Sequence, residues 1–331
     1  MPSSSKKIKK SAKSEPRVLR LGTRASALAL TQSRGIAKLL EKRNPGLRVE
    51  LIEIATTGDK NRVNALKSFG GAGVFVKELE LALIEKRVDF AVHSLKDVPT
   101  KQPRGLILGA IVGREDPRDV AITRGNVKLA KLPAGSVIGS GSERRRAQLT
   151  LRYPHLKFAD IRGNVETRIR KVTDGEYAGT ILARAGLKRL GLLTSKMETI
   201  PLADVLPAPG QGALGIECRT GDAVTRKILS SIHDAAVALS VNAERDLLSL
   251  LGGGCNLPLG TLGTVSSKTI KLESFLGLPD GSQWVAVKRE LPLRGPAGKS
   301  AQTVARQVRA AMMKLDGREI LKRIMDDAAQ P

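Results

Sequence analysis

Nine arginines fall between Arg144 and Arg189, most of them in short segments punctuated by glycine. The segments read Gly139-Ser-Gly-Ser-Glu-Arg144-Arg145-Arg146, Arg162-Gly-Asn-Val-Glu-Thr-Arg168 and Ala183-Arg-Ala-Gly-Leu-Lys-Arg189. Arginine stays charged and grips carboxylate or phosphate with a planar fork of donors. Several such forks at loop–helix junctions suit a ligand with many negative charges. The competing reading is a set of solvated helix faces, the usual fate of charge runs.

The elements that must aim these side chains can be read from periodicity. Val18–Gly22 is a short apolar run ending at Thr23-Arg24-Ala25-Ser26. Leu28, Leu30, Ile36, Leu39 and Leu40 then follow a helical period, with Ser26 as N-cap. Leu47–Ala55 reads as a strand, glycine-rich Gly58–Gly73 as a long flexible loop acting as a lid, and Phe75–Lys86 as a helix. Phe90–His93 is a strand running straight into Ser94-Leu-Lys96-Asp97-Val-Pro99. After Glu115-Asp-Pro117 come strands at 120–123, 137–139, 158–161 and 180–182, with helices at Glu143–Leu151 and Val165–Thr173. This alternation predicts α/β sheets flanked by helices. Gly212–Cys218 adds a strand and Ala223–Ser231 a helix. The last third predicts an α+β module: a hairpin of Lys268–Leu276 and Trp284–Val287 around Pro279-Asp-Gly281, then a helix from about Ser300 to Leu315.

Arg24, Lys96, Arg144 and Arg162 each follow a predicted strand. Ligands of open α/β sheets bind outside the carboxyl ends of strands, and helix N-termini there attract anions. Two such edges facing each other make a basic cleft.

Composition narrows the partners. The chain has 331 residues, enough for two or three cores. Its net charge is +24, which suits nucleic acid or a small polyanion. Aromatic content of 2% argues against stacking on single strands, and no finger, basic zipper or ribonucleoprotein signature is present. The two cysteines, Cys218 and Cys255, form no disulfide framework, and three scattered histidines argue against zinc. A cytoplasmic setting is expected. Residues 1–17 read as a disordered basic arm, Lys6, Lys7, Lys9, Lys10, Lys13 and Arg17 against Glu15 alone. An organellar address in this arm stays open. Nucleic acid is expected to make only nonspecific contact with it.

Leu19-Arg-Leu-Gly-Thr-Arg24-Ala-Ser26-Ala-Leu-Ala-Leu-Thr-Gln32, Ala91-Val-His93-Ser94-Leu-Lys96-Asp97-Val-Pro99 and Arg162-Gly-Asn-Val-Glu-Thr-Arg168 resemble the porphobilinogen deaminase, or hydroxymethylbilane synthase, family. So do Pro209-Gly-Gln211-Gly-Ala and Leu251-Gly-Gly-Gly-Cys255-Asn-Leu-Pro258. The motifs stand in family order from about Val18 to the C-terminus. The resemblance implies two α/β domains like type II periplasmic binding proteins, 18–112 with 213–230 and 118–206, plus a C-terminal α+β domain, 235–331. It implies stepwise condensation of four porphobilinogen molecules, with loss of ammonia, on a dipyrromethane cofactor, then hydrolysis to the linear tetrapyrrole. A monomer is implied, with the product passing to a uroporphyrinogen-III synthase.

By position, Cys255 is the residue that holds the dipyrromethane as a thioether. A soft thiolate suits attack on an electrophilic methylene, and the neighbouring glycines let the loop come close. Asp97 resembles the catalytic carboxylate that stabilises the cation left by ammonia. Lys96, Ser142, Arg144, Arg145 and Arg168 match positions that hold the cofactor's carboxylates. Arg24, Ser26, Gln32, Arg162 and Arg189 match positions that meet substrate or the growing chain, and Phe75 an aromatic near the lid. Each charge-assisted hydrogen bond contributes about 1.5–3 kcal/mol. The chain departs from the family pattern at Ala72, Gly141, Glu143, Arg184 and Gly252. A non-enzymatic two-lobed polycarboxylate binder is the alternative. It would need no cysteine-bearing third domain.

Overall fold

The computed structural model describes residues 17–55, 76–252, 254, 257–294 and 297–329. Of the arm expected at residues 1–17, Arg17 instead opens the first strand, where it pairs with Leu47, and the rest lies outside the described residues with the expected lid, Phe75 and Cys255.

The first sheet begins with β1 (Arg17–Thr23), α1 (Ala27–Arg43) and β2 (Leu47–Glu53). It continues with α2 (Lys77–Ile84), β3 (Phe90–Ser94), a single 3₁₀ turn (Leu95–Asp97) and β4 (Leu106–Arg114). The chain then leaves to build a second sheet. That sheet comprises β5 (Asp119–Thr123), β6 (Val137–Gly139), α3 (Glu143–Arg152) and β7 (Lys157–Ala159), followed by α4 (Val165–Thr173), β8 (Gly179–Ala183), α5 (Arg184–Arg189) and β9 (Glu198–Thr199). It returns as β10 (Ala213–Arg219) and α6 (Ala223–Ser230). α7 (Ala235–Leu250) leads to a third unit of β11 (Leu259–Val265), β12 (Thr269–Gly277), β13 (Trp284–Pro292), α8 (Ala297–Lys314) and α9 (Gly317–Ala329).

The first two sheets share one topology. Their orders are β2-β1-β3-β10-β4 and β7-β6-β8-β5-β9. In each, three parallel strands are followed by one antiparallel strand that arrives from, or departs to, the other lobe. The third sheet is an antiparallel meander, β11-β12-β13.

Each unit has its own apolar core. Leu21, Leu40, Phe90 and Ile216 fill the first, Ile138, Leu149 and Ile181 the second, and Leu247, Leu272, Val304 and Met312 the third. Local chemistry sets the helix starts. Ser26, Asn164 and Asp234 accept hydrogen bonds from Ala29, Thr167 and Val237 amides at the heads of α1, α4 and α7. In α8, Ala301, Val304, Ala305, Val308 and Met312 repeat with helical spacing and are all buried.

Two crossings join the lobes, and they touch. Glu115 N donates to Gly212 O at 3.2 Å. Gly212 has φ of +93°, and a Cβ there would collide with the Glu115 carbonyl, so only glycine fits. α7 ties the third unit to this junction. Glu244, fully buried on α7, accepts Arg114 Nη1 at 2.7 Å, Gly210 N at 2.7 Å and Gly263 N at 2.7 Å.

Several elements differ from the sequence reading. β7 spans 157–159 rather than 158–161, and α2 begins at Lys77. The sequence reading has no counterpart of β4, α5, β9, α7, β11 or α9. α7 buries Glu244 and Arg245 on faces that contact other units, which breaks its apolar stripe. β11 carries Gly260 and Gly263 because Leu206 and the Ser240 backbone approach too closely for a side chain. In a sequence, glycines at that spacing resemble a loop.

Candidate active site

The strand ends of both lobes present the cations the sequence singled out. Arg24 follows β1 directly and is half-buried. Ser26 caps α1, its Oγ accepting from Ala29 N at 3.4 Å. Gln32, one turn along α1, is buried and donates to Ser94 Oγ at 2.9 Å. It therefore braces the β3 end from the neighbouring helix.

Lys96 and Asp97 occupy the 3₁₀ turn that ends β3. Lys96 Nζ donates to Gln211 Oε1 at 3.4 Å. Gln211 Nε2 in turn donates to Pro117 O at 2.6 Å and Asp119 Oδ1 at 2.9 Å. Asp119, fully buried, accepts Arg144 Nη2 at 2.9 Å and Arg145 Nη2 at 2.8 Å. Arg144 Nη1 also donates to Leu206 O, and Arg145 Nη1 to Ile181 O. Burial alone would push the Asp119 carboxyl up. The charges of Arg144 and Arg145 outweigh burial and hold it well below the usual carboxylate range.

The cluster is overcharged. Burial pushes the Lys96 ammonium below its ordinary value, and Arg145 and Arg144 push the same way against Asp97 and Asp119. Arg168, half-buried, falls to about 10 through burial, with Arg145 and Arg162 adding to the shift. Among the described residues Arg145 Nε is buried without a partner. Cations that destabilise one another in a partly dry site need anions from outside. A dipyrromethane, with its acidic side chains, fits that need.

The remaining residues divide. Ser142 stands at the N-cap position of α3 with its hydroxyl unused as a cap. Arg162 is exposed and pairs with Asp160 at 2.9 Å. Arg189, half-buried on α5, donates to Gly212 O at 2.6 Å, which fastens the second lobe to the crossing. Asp97 is exposed, and no backbone amide among the described residues donates to it, so it does not serve as a turn cap. Cys218 is buried on β10, and burial pushes its thiol up to about 11, an inert setting.

Two of the departures from the family pattern have local reasons. Gly252 adopts φ of +71° just after α7, where a side chain would be strained. Arg184 pairs with Asp116 at 3.4 Å. Glu143 is exposed in the first turn of α3, where an acid complements the helix N-terminus. Sequence reasoning missed Asp119. A lone aspartate opening an apolar strand was its signal, because buried carboxylates are rarely left unpaired.

Two lobes of one sheet topology, with buried and half-buried cations at their strand ends, are joined to a third α+β unit, which defines a three-unit α/β protein. The chain belongs to the porphobilinogen deaminase family. Residues 19–227 match the family's dipyromethane cofactor binding domain, and residues 238–314 match its C-terminal domain. It is thereby a transferase of tetrapyrrole biosynthesis, a hydroxymethylbilane synthase acting on porphobilinogen with a dipyrromethane cofactor.

Solved structures with weaker likeness include a probable amino-acid ABC transporter extracellular-binding protein, YtmK, from Bacillus subtilis. It is 11% identical with a TM-score of 0.40, over 65% of this chain and 90% of that one. A putative methionine-binding lipoprotein from Bacillus subtilis is 12% identical at 0.39, over 68% and 93%. YhfZ from Shigella flexneri is 14% identical at 0.36, over 72% and 92%. Family membership rests on the two domain matches alone.

Proposed function

We propose that the cleft residues divide the family's reaction into holding and proton-handling parts. The observation that supports this is the surplus of positive charge around Lys96, Arg145 and Arg168. Lys96, Ser142, Arg144, Arg145 and Arg168 hold the carboxylates of the dipyrromethane, which Cys255 carries as a thioether. When bound, that group supplies a nucleophilic pyrrole carbon for extension. Arg24, Ser26, Gln32, Arg162 and Arg189 receive the carboxylates of substrate and of the lengthening product.

Asp97 hands a proton to the departing amine of porphobilinogen, and its charge offsets the cation left on the substrate ring. It takes up the proton released at each carbon–carbon bond. Its carboxylate is exposed, which gives it access to substrate for both tasks.

In this reading the chain is a monomer of three domains, 18–112 with 213–230, 118–206 and 235–331. It works in the cytoplasm and passes product to a uroporphyrinogen-III synthase. Its basic arm makes only nonspecific contact with nucleic acid.

Intact mass tests the assignment. Purified protein should exceed the chain mass by one dipyrromethane. Cys255→Ser should lose that excess and all activity, while Cys218→Ser should keep it. An adduct persisting on Cys255→Ser would move the attachment elsewhere.

A further inference from the structure

Arg245 belongs to α7, yet its guanidinium serves the first lobe. The side chain is buried, and Nη1 donates to Val98 O at 2.8 Å and to Leu95 O at 3.5 Å, while Nη2 donates to Pro99 O at 2.7 Å. These three carbonyls bracket Lys96 and Asp97. Leu95 and Val98 bury their side chains, and Gln102 Nε2 also donates to Pro99 O at 2.8 Å, but the backbone of the turn makes few bonds of its own. Its one backbone hydrogen bond among the described residues runs from Val98 N to Leu95 O at 3.2 Å, and Pro99 has no N–H to give. A charged fork donating to three carbonyls at once is a strong clamp for such a segment.

The same helix buries Leu239, Ala243, Leu247 and Leu248 in the third unit's core. We propose that Arg245 is a positioning residue that locks the Lys96–Asp97 turn to α7, so that the carboxylate is set by a helix whose other face is packed in the third unit's core. This rests on the role given above to Asp97. Displacing a reacting group by about 1 Å costs on the order of 10²-fold in rate, so such a clamp acts on turnover rather than on binding.

A cavity of about 300 Å³ lies against the guanidinium, lined also by Thr100, Gln102, Asn242, Asp246 and Ser249. It gives a small cation a way into the place of a truncated side chain. The test uses cofactor-loaded Arg245→Ala, with Arg245→Lys as a milder variant. Intact mass should show both loaded. For Arg245→Ala, kcat should fall at least roughly tenfold with KM within about twofold of wild type, and Arg245→Lys should lie between. Amide exchange should quicken at residues 95–100 and stay unchanged in β3 and β10. Millimolar guanidinium should restore part of the lost kcat to Arg245→Ala and none to Asp97→Asn.

Unchanged kcat together with unchanged exchange at the turn would overturn the proposal. So would a loss that guanidinium does not relieve and that comes with faster exchange throughout the first sheet. If Asp97 itself proved dispensable, the turn would still loosen in Arg245→Ala, which separates failure of the clamp from failure of the catalytic assignment.

Discussion

Asp97 and Lys96 are adjacent in the chain but live in different electrostatic settings. The carboxylate is exposed at the end of β3, while the ammonium is pressed by burial and two guanidinium groups. Asp97→Asn preserves shape and removes charge, so turnover should fall by at least ~10²-fold while cofactor loading and folding persist. Near-normal turnover would reduce Asp97 to a turn residue. The same change removes the charge that most opposes burial at Lys96, so the amine should lose its proton at lower pH in the variant. Amine-selective labelling of apoprotein across the alkaline range would read that shift. Both residues were legible from one short motif. Asp119 and its link through Gln211 were not, because a hydrogen-bond relay between residues 92 positions apart leaves no local pattern.

At the scale of elements, Asp119 opens β5 and fastens the first turn of α3 to it through two arginines. Removing one partner of a buried ionic group leaves charge without compensation, which costs about 3–5 kcal/mol. Asp119→Asn should therefore lower the unfolding midpoint of apoprotein by far more than a surface change, and bound cofactor should recover part of the loss. A midpoint within a degree of wild type would mean that solvent already screens the pair. The strands and helices of both lobes were mostly readable because their periods are clean, as in β6 at 137–139 and α4 at 165–173. Those missed were shaped by neighbours: α7 by the polar partners it clamps, β11 by backbones that approach its glycines. Periodicity reports a buried face, and an element wedged between units has more than one.

Over the whole molecule, the net charge of +24 exceeds what the cleft residues account for. A field of one sign steers anionic substrate, and added salt screens it over about 10 Å at ~0.1 M. For porphobilinogen, kcat/KM should fall as salt rises while kcat holds steady. A salt-independent kcat/KM would confine the useful charge to direct contacts. The sheet order carries a further consequence. β10 sits between β3 and β4, yet residues 213–219 follow every strand of the second sheet. A nascent chain emerging from the ribosome thus holds a complete set of strands for the second lobe while the first still lacks its central antiparallel member. The lobe translated first is the lobe closed last. Force profiling with arrest peptides should register the second lobe's collapse once residue 199 clears the tunnel, ahead of the signal from the first. Until β10 emerges, β4 travels without its strand partner, the interval in which nascent-chain chaperones have most to protect.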